Sequence, residues 1–234
     1  MTIIFKTKTC QIKKNKHKYE LIYEDGEKFN KFFEKTKKNL IIINEKKNKS
    51  FTFEAYSVES LNDLMKRKDK LSYRHLKQLF TNIAKQFEGL EEDGFGNLFL
   101  NIDDIVRVEI DEFTQKGGSG KDIYFLYLNT SSFLPITNKL IKITKPFNKD
   151  NIFFSPEMKK VKSFPIEIPF VSQYYSLALL TLDVKDGVKK SIKKLDLTFD
   201  NFRKYLSDID NTKLYWALLR CLEYNPKDRV YLYI

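Results

Sequence analysis

"SYRHLKQLFTNIAKQFEGLEEDGFGNLFLNIDDIVRV", residues 72–108, is where the fold is decided. Leu76, Leu79, Phe80, Ile83, Phe87 and Leu90 recur at intervals of three and four, the spacing of one apolar helix face, and Ser72 is placed to cap it. The pattern stops at Asp93-Gly94 and resumes as a strand, "IVRVEIDEF". The connection between them has the rhythm of a loop that should hold reactive groups. Its centre, Leu98-Phe99-Leu100, is purely apolar.

Upstream, residues 2–12 and 18–24 read as strands, followed by a turn at "EDG". "GEKFNKFFEKTKKN" sets Phe29, Phe32 and Phe33 at helical spacing, and "NLIIINEKKNKSFTFEAY" reads as a hairpin around a charged turn. Ser60 is the expected N-cap of "LNDLMKRK". Downstream, "DIYFLYLN" is a second strand, reached through "TQKGGSGK". Those glycines and Lys121 invite a phosphate-loop reading, but that signature needs a helix after G-x-x-x-x-G-K-[ST]. Here Asp122 and a strand follow, so the segment reads as a hairpin turn.

Residues 130–171 read as mostly irregular, with prolines at 135, 146, 156, 165 and 169. "VSQYYSLALLTLDV" is apolar on nearly every face and is expected to be a buried helix. "DNFRKYLSDI" is read as capped by Asp200, and "NTKLYWALLRCLEYN" as starting from a cap at Asn211. A strand-rich N-terminal part and a larger helical C-terminal part make the expected class α+β.

The chain has 234 residues, of which 42% are hydrophobic, enough to bury a sizeable core. No apolar run is long enough to span a bilayer, and "MTIIFKTKTCQIKKNKHK" has neither the apolar stretch of a signal peptide nor the Arg and Ser of a mitochondrial presequence. The expected location is intracellular, cytoplasmic by default. Cys10 and Cys221, far apart and without a C-x-x-C, read as buried reduced thiols. His17 and His75 are isolated, so neither a zinc cluster nor a triad is expected, and no metal or other cofactor. The net charge of +11 raises nucleic acid as a partner. It is discounted because only six of the 42 cationic residues are arginine, whereas groove readers favour arginine. "KKNKHK" and "EKKNKS" then read as solvated turns.

Taken in order, several segments resemble a eukaryotic protein kinase. "SFTFEAYSVESLNDLMKR" resembles the fifth strand, hinge and first C-lobe helix. "LSYRHLKQLFTNIAKQFEGLEEDGF" resembles the helix leading to the catalytic loop, "FFSPE" the end of the activation loop, and "YYSLALLTL" a buried helix of the C-lobe. "LLRCLEYNPKDRVYLYI" resembles the kinase C-terminus and is the most specific of the five. The resemblance covers residues 39–234 and implies a kinase-like α+β fold: a shortened N-lobe in residues 1–56 and a mainly helical C-lobe in 57–234.

The same resemblance places Asn97-Leu98-Phe99 on the kinase His-Arg-Asp triplet, Asn101 on the catalytic-loop lysine, and Asp104 on the metal-binding asparagine. Phe99 thus stands where a carboxylate would accept the substrate hydroxyl's proton, and a phenyl ring has no basic lone pair. Asn129, Thr130 and Ser131 fall on Asp-Phe-Gly, which replaces a metal-binding carboxylate with a neutral amide. Gly26 is the chain's first glycine and follows the strands, so no phosphate-covering loop is present. Lys18, with Glu27 or Glu34, is the nominal counterpart of the nucleotide-binding ion pair. Glu157 and Arg229 take the positions of a buried structural ion pair. Gln173 replaces an aspartate that braces the catalytic loop, and its brace is expected to be lost.

These expectations describe a catalytically inactive kinase-like protein, a protein-binding scaffold or structural subunit of a multi-subunit assembly. Two alternatives stand beside it. One is a divergent active phosphotransferase using Asp103 or Asp104, and the other a basic nucleic-acid-binding protein.

Overall fold

The computed structural model describes residues 1–27, 43–67, 71–111, 121–186 and 198–234. The expected helix carrying Phe29, Phe32 and Phe33, the candidate Glu34, and the glycine-bearing turn before Lys121 lie outside the described residues. The chain forms two compact units, Met1–Leu64 with Ile102–Ser131, and Met65–Asn101 with Ser132–Ile234.

The first unit begins with β1 (Thr2–Lys6), β2 (Cys10–Asn15), β3 (Lys18–Tyr23), β4 (Ile43–Lys46) and β5 (Ser50–Glu54), an antiparallel sheet ordered β1-β2-β3-β5-β4. Residues 2–12, expected as one strand, reverse direction at 7–9. There the Thr7 hydroxyl accepts the N–H groups of Thr9 and Cys10 at 3.2 and 3.1 Å, a turn closed by a side chain. The expected hairpin of β4 and β5 is present. β6 (Ser57–Ser60) runs into α1 (Leu61–Lys66), whose Asp63 N–H donates to the Ser60 hydroxyl at 3.0 Å.

An excursion through the second unit supplies α2 (Tyr73–Glu92) and β7 (Phe95–Asn97) before the chain returns as β8 (Ile105–Asp111) and β9 (Lys121–Tyr127). The latter two extend β6 into an antiparallel sheet ordered β6-β8-β9. Alternation along β3 turns Tyr19, Leu21 and Tyr23 inward, and with Phe51 and Phe53 of β5 they join Val106, Val108 and Leu126 in one core. Each such side chain contributes about 1.5–3 kcal/mol on burial.

In the second unit, α2 starts at Ser72, which accepts the His75 N–H, and buries the six apolar residues that its spacing predicts. It ends at Gly94, whose φ of +77° is the left-handed conformation that suits a residue without a side chain. The chain then enters β7.

Contrary to the irregular reading of residues 130–171, this stretch contains β10 (Phe133–Thr137), β11 (Leu140–Ile143), α3 (Pro156–Lys159) and β12 (Ile166–Pro169). With β7 the strands form an antiparallel sheet ordered β12-β11-β10-β7. Two features make a strand compatible with Pro135. Residues 133–135 pair with β7 and 136–137 with β11, so the missing N–H falls where the β11 ladder has ended. Asn138 and Lys139 then close the hairpin with φ of +51° and +62°, the left-handed pair of a tight two-residue turn.

Three helices complete the unit: α4 (Ser172–Asp186), α5 (Phe199–Tyr205) and α6 (Lys213–Cys221). Residues 172–182 of α4 are all buried, as its apolar sequence predicts. The expected caps of α5 and α6 are corrected. Thr198, not Asp200, accepts the Asn201 N–H, and Thr212, not Asn211, accepts the Tyr215 N–H. Both threonines have the extended backbone that a cap requires, whereas Asp200 already lies inside its helix and Asn211 has a φ of +61°. Among the described residues, six α-helices and twelve strands in antiparallel sheets make the protein α+β. No described helix is long and apolar enough to cross a membrane.

Candidate functional site

Gly94 and β7 deliver the apolar loop of residues 97–101. Gly96 is the close-packed point of this strand, since a Cβ there would lie 2.6 Å from Ile141 Cδ1. Gln173, fully buried at the start of α4, reaches the loop. Its Oε1 accepts the Asn97 N–H at 3.0 Å, while its Nε2 donates to the Glu91 carboxylate. The brace expected to be lost is therefore present, because an amide oxygen accepts an N–H as a carboxylate does. Glu91 also accepts the Tyr174 hydroxyl at 2.6 Å. Burial pushes the Glu91 carboxyl above the usual glutamate range, and these neutral donors offset that only in part.

Asn97 is itself fully buried, and its Oδ1 accepts the Phe99 N–H at 2.9 Å. The side chain thus closes a turn of the kind asparagine favours. That turn directs Phe99 into an aromatic cluster. Its ring lies 5.4 Å from Phe147 and 5.8 Å from Phe154, both edge-on, and Phe147 meets Phe154 and Phe164 in the same way. Leu98, 1% exposed, packs in the same core. Asn101 is exposed. Segment 147–154 is fastened over the loop, with Asn151 Nδ2 donating to the Leu100 carbonyl at 2.9 Å. Nothing at position 99 can accept a proton, and the ring is engaged in packing.

In the first unit, Asp104 ends a short turn before β8 and is buried. Its carboxylate accepts Asn129 Nδ2 at 2.9 Å and the Tyr127 hydroxyl at 3.5 Å. Burial raises its pKa, and the Asn129 hydrogen bond opposes that shift without cancelling it. Asn129 is used at both ends, since its Oδ1 accepts the N–H and hydroxyl of Ser131 at 3.0 and 2.6 Å. An oxygen so committed is poorly disposed to hold a cation. Asp103 is exposed and accepts from Asn62 Nδ2. No group of three or more His, Cys, Asp or Glu side chains able to hold a metal ion occurs among the described residues. Lys18 is exposed at the start of β3.

The structure brings Glu157 and Arg229 together. Arg229 is 5% exposed, and its guanidinium grips both carboxylate oxygens of Glu157, donates to the Glu223 and Tyr224 carbonyls at 2.7 and 2.9 Å, and stacks 4.7 Å from the Tyr175 ring. Burial alone would raise the Glu157 carboxyl, but the Arg229 guanidinium overrides it and holds the pKa below the usual glutamate value. Both cysteines are free and buried, and burial pushes each thiol up to about 12, too high for a reactive thiolate.

Glu91, Tyr174 and Asn151 are the residues that sequence reasoning passed over. Only the polar Gln173, in a helix apolar on nearly all faces, signals that something there needs a partner. No known protein-family model matches the chain. Among curated proteins, none matches it either.

Proposed function

We propose that the chain is a catalytically inactive kinase-like protein that works as a protein-binding scaffold or as a structural subunit of a larger assembly. The observation that carries this reading is Phe99, packed against Phe147 and Phe154, together with the resemblance that aligns it with the carboxylate phosphoryl transfer needs. The use of Asn129 Oδ1 by Ser131 supports it, because a nucleotide-bound Mg²⁺ would need that oxygen. So does the Glu157–Arg229 pair, which concerns packing and not chemistry. The order of helix, short strand, loop and two-stranded extension is compatible with the kinase-like fold.

The test is incubation of the purified protein with Mg²⁺ or Mn²⁺, labelled ATP and generic acceptor proteins, with a thermal-shift measurement beside it. The expected outcome is no transfer above the blank and no stabilisation by ATP, since a ligand that binds the folded form must stabilise it. Transfer that disappears in Asp104→Ala would overturn the proposal in favour of a divergent phosphotransferase.

A further inference from the structure

Of the residues of α6, Lys213, Trp216 and Arg220 are exposed and the rest are buried. Spacings of three and four put these three in one row along the helix. The indole stands between two cations that are separated by about 10 Å along the axis.

Folding alone does not account for this row. Trp216 is the chain's only tryptophan and is 52% exposed, although so large a ring gains most from burial. Its one ring contact among the described residues is with the neighbouring Tyr215, edge-on at 5.1 Å. Lys213 opens the helix, where the dipole disfavours a cation, and no acidic residue of the first turn offsets it. Arg220 is at the favourable end. Yet no ion pair joins either cation to a carboxylate among the described residues.

The row therefore presents an aromatic surface between two uncompensated positive charges. Tryptophan and arginine are the side chains on which binding energy concentrates in protein interfaces, and complementary charge selects the partner. Carboxylates answer both cations. On a helix, residues seven apart share a face and stand about 10 Å apart, with one apolar position between them. Val230, 49% exposed, is held beside the C-terminal end of the row by its N–H, which donates to the Arg220 carbonyl at 3.3 Å. An aliphatic neighbour suits a peptide side chain and offers nothing to a phosphodiester, which favours a polypeptide over a nucleic-acid strand. A second copy of the chain, docked by two-fold symmetry, would set these cations against their own equivalents.

We propose that the outward row of α6 docks an acidic helical segment of a partner polypeptide. An apolar side chain of that segment rests on Trp216, and carboxylates on either side of it meet Lys213 and Arg220. This deepens the scaffold reading by giving the partner's chemistry. It rests on that reading only in requiring a partner, since no residue of the row is a degenerate catalytic position.

Because Trp216 is the only tryptophan, its fluorescence in the full chain reports on this face alone. The probe is an end-capped, alanine-rich helical peptide carrying Glu-x-x-x-Leu-x-x-Glu. The control is the same peptide with lysine at both glutamate positions. A saturable change with the first and none with the second is expected. By anisotropy of the labelled peptide, affinity should fall about tenfold or more in the double variant Lys213→Gln, Arg220→Gln, and severalfold in Trp216→Ala. Trp216→Phe should recover part of the loss. All three positions are exposed, and circular dichroism checks that each variant is folded. No response, an equal response to the lysine peptide, or unchanged affinity in the folded variants overturns the proposal. Binding of oligothymidylate in place of the peptide also overturns it, as does self-association that the same variants abolish; the occupant is then a single strand or a second copy. Phosphoryl transfer is measured without the peptide, so the inactive-kinase reading and this one can fail separately.

Discussion

Arg229 and Glu157 show how much can depend on two side chains 72 residues apart. Removing one member of a buried pair leaves the other charge desolvated and uncompensated, at a cost of about 3–5 kcal/mol. Arg229→Ala should therefore lower stability by that order in urea unfolding at neutral pH. The pH dependence has a definite sign. The folded-state pKa of Glu157 is depressed, so its contribution is fully present above the unfolded glutamate value and is lost as pH falls through the folded one. The gap between wild type and Arg229→Ala should accordingly narrow on acidification. Equal gaps at neutral and strongly acidic pH would contradict the pairing. The sequence pointed to this pair through "SPE" and "PKDR". It could not show that Gln173 would serve where an aspartate was expected, because its partners, Asn97 and Glu91, lie 76 and 82 residues away.

Among helices and strands, what could be read in advance was what is local. Ser60 and Ser72 cap their helices because cap, spacing and apolar face all lie within a few residues of one another. Thr198 and Asp200 are both residue types that cap, and the choice between them depends on which takes the extended backbone. That depends on how the chain arrives at α5. Thr198→Ala should cost about 0.5–2 kcal/mol, and Asp200→Ala only the weaker dipole contribution of about 0.3–1 kcal/mol. Thermal or urea melts of the two variants check the order. The strands of residues 133–169 were missed for a different reason. Prolines argued against strands, and the pairing that permits them, Pro135 opposite Phe95 and Pro169 opposite Leu140, is non-local.

Across the chain, α+β character was legible from the succession of strand-rich and helix-rich segments. The assortment of segments into units was not, since β6 joins β8 and β9 by pairing across some fifty residues. Net charge of +11 operates at this range as well. Lysines on solvated turns attract phosphates without reading bases, and such binding falls steeply as salt competes. Affinity for a random duplex should drop roughly 10³-fold or more between 50 and 200 mM salt, equally for two unrelated sequences, when followed by fluorescence anisotropy. A duplex preference that survives at the higher salt would restore the nucleic-acid reading.

An amide at position 173 neither gains nor sheds a proton over the range that proteins tolerate. The oxygen it offers the Asn97 N–H therefore has no titration of its own, and acidity reaches the strut only through Glu91, the carboxylate that receives its Nε2. An aspartate in its place would slacken its hold once neutralised, and the loop would relax with it. Here the posture of residues 97–99 is set by an acceptor that keeps its lone pairs at every pH, while the other end of the strut answers to Glu91.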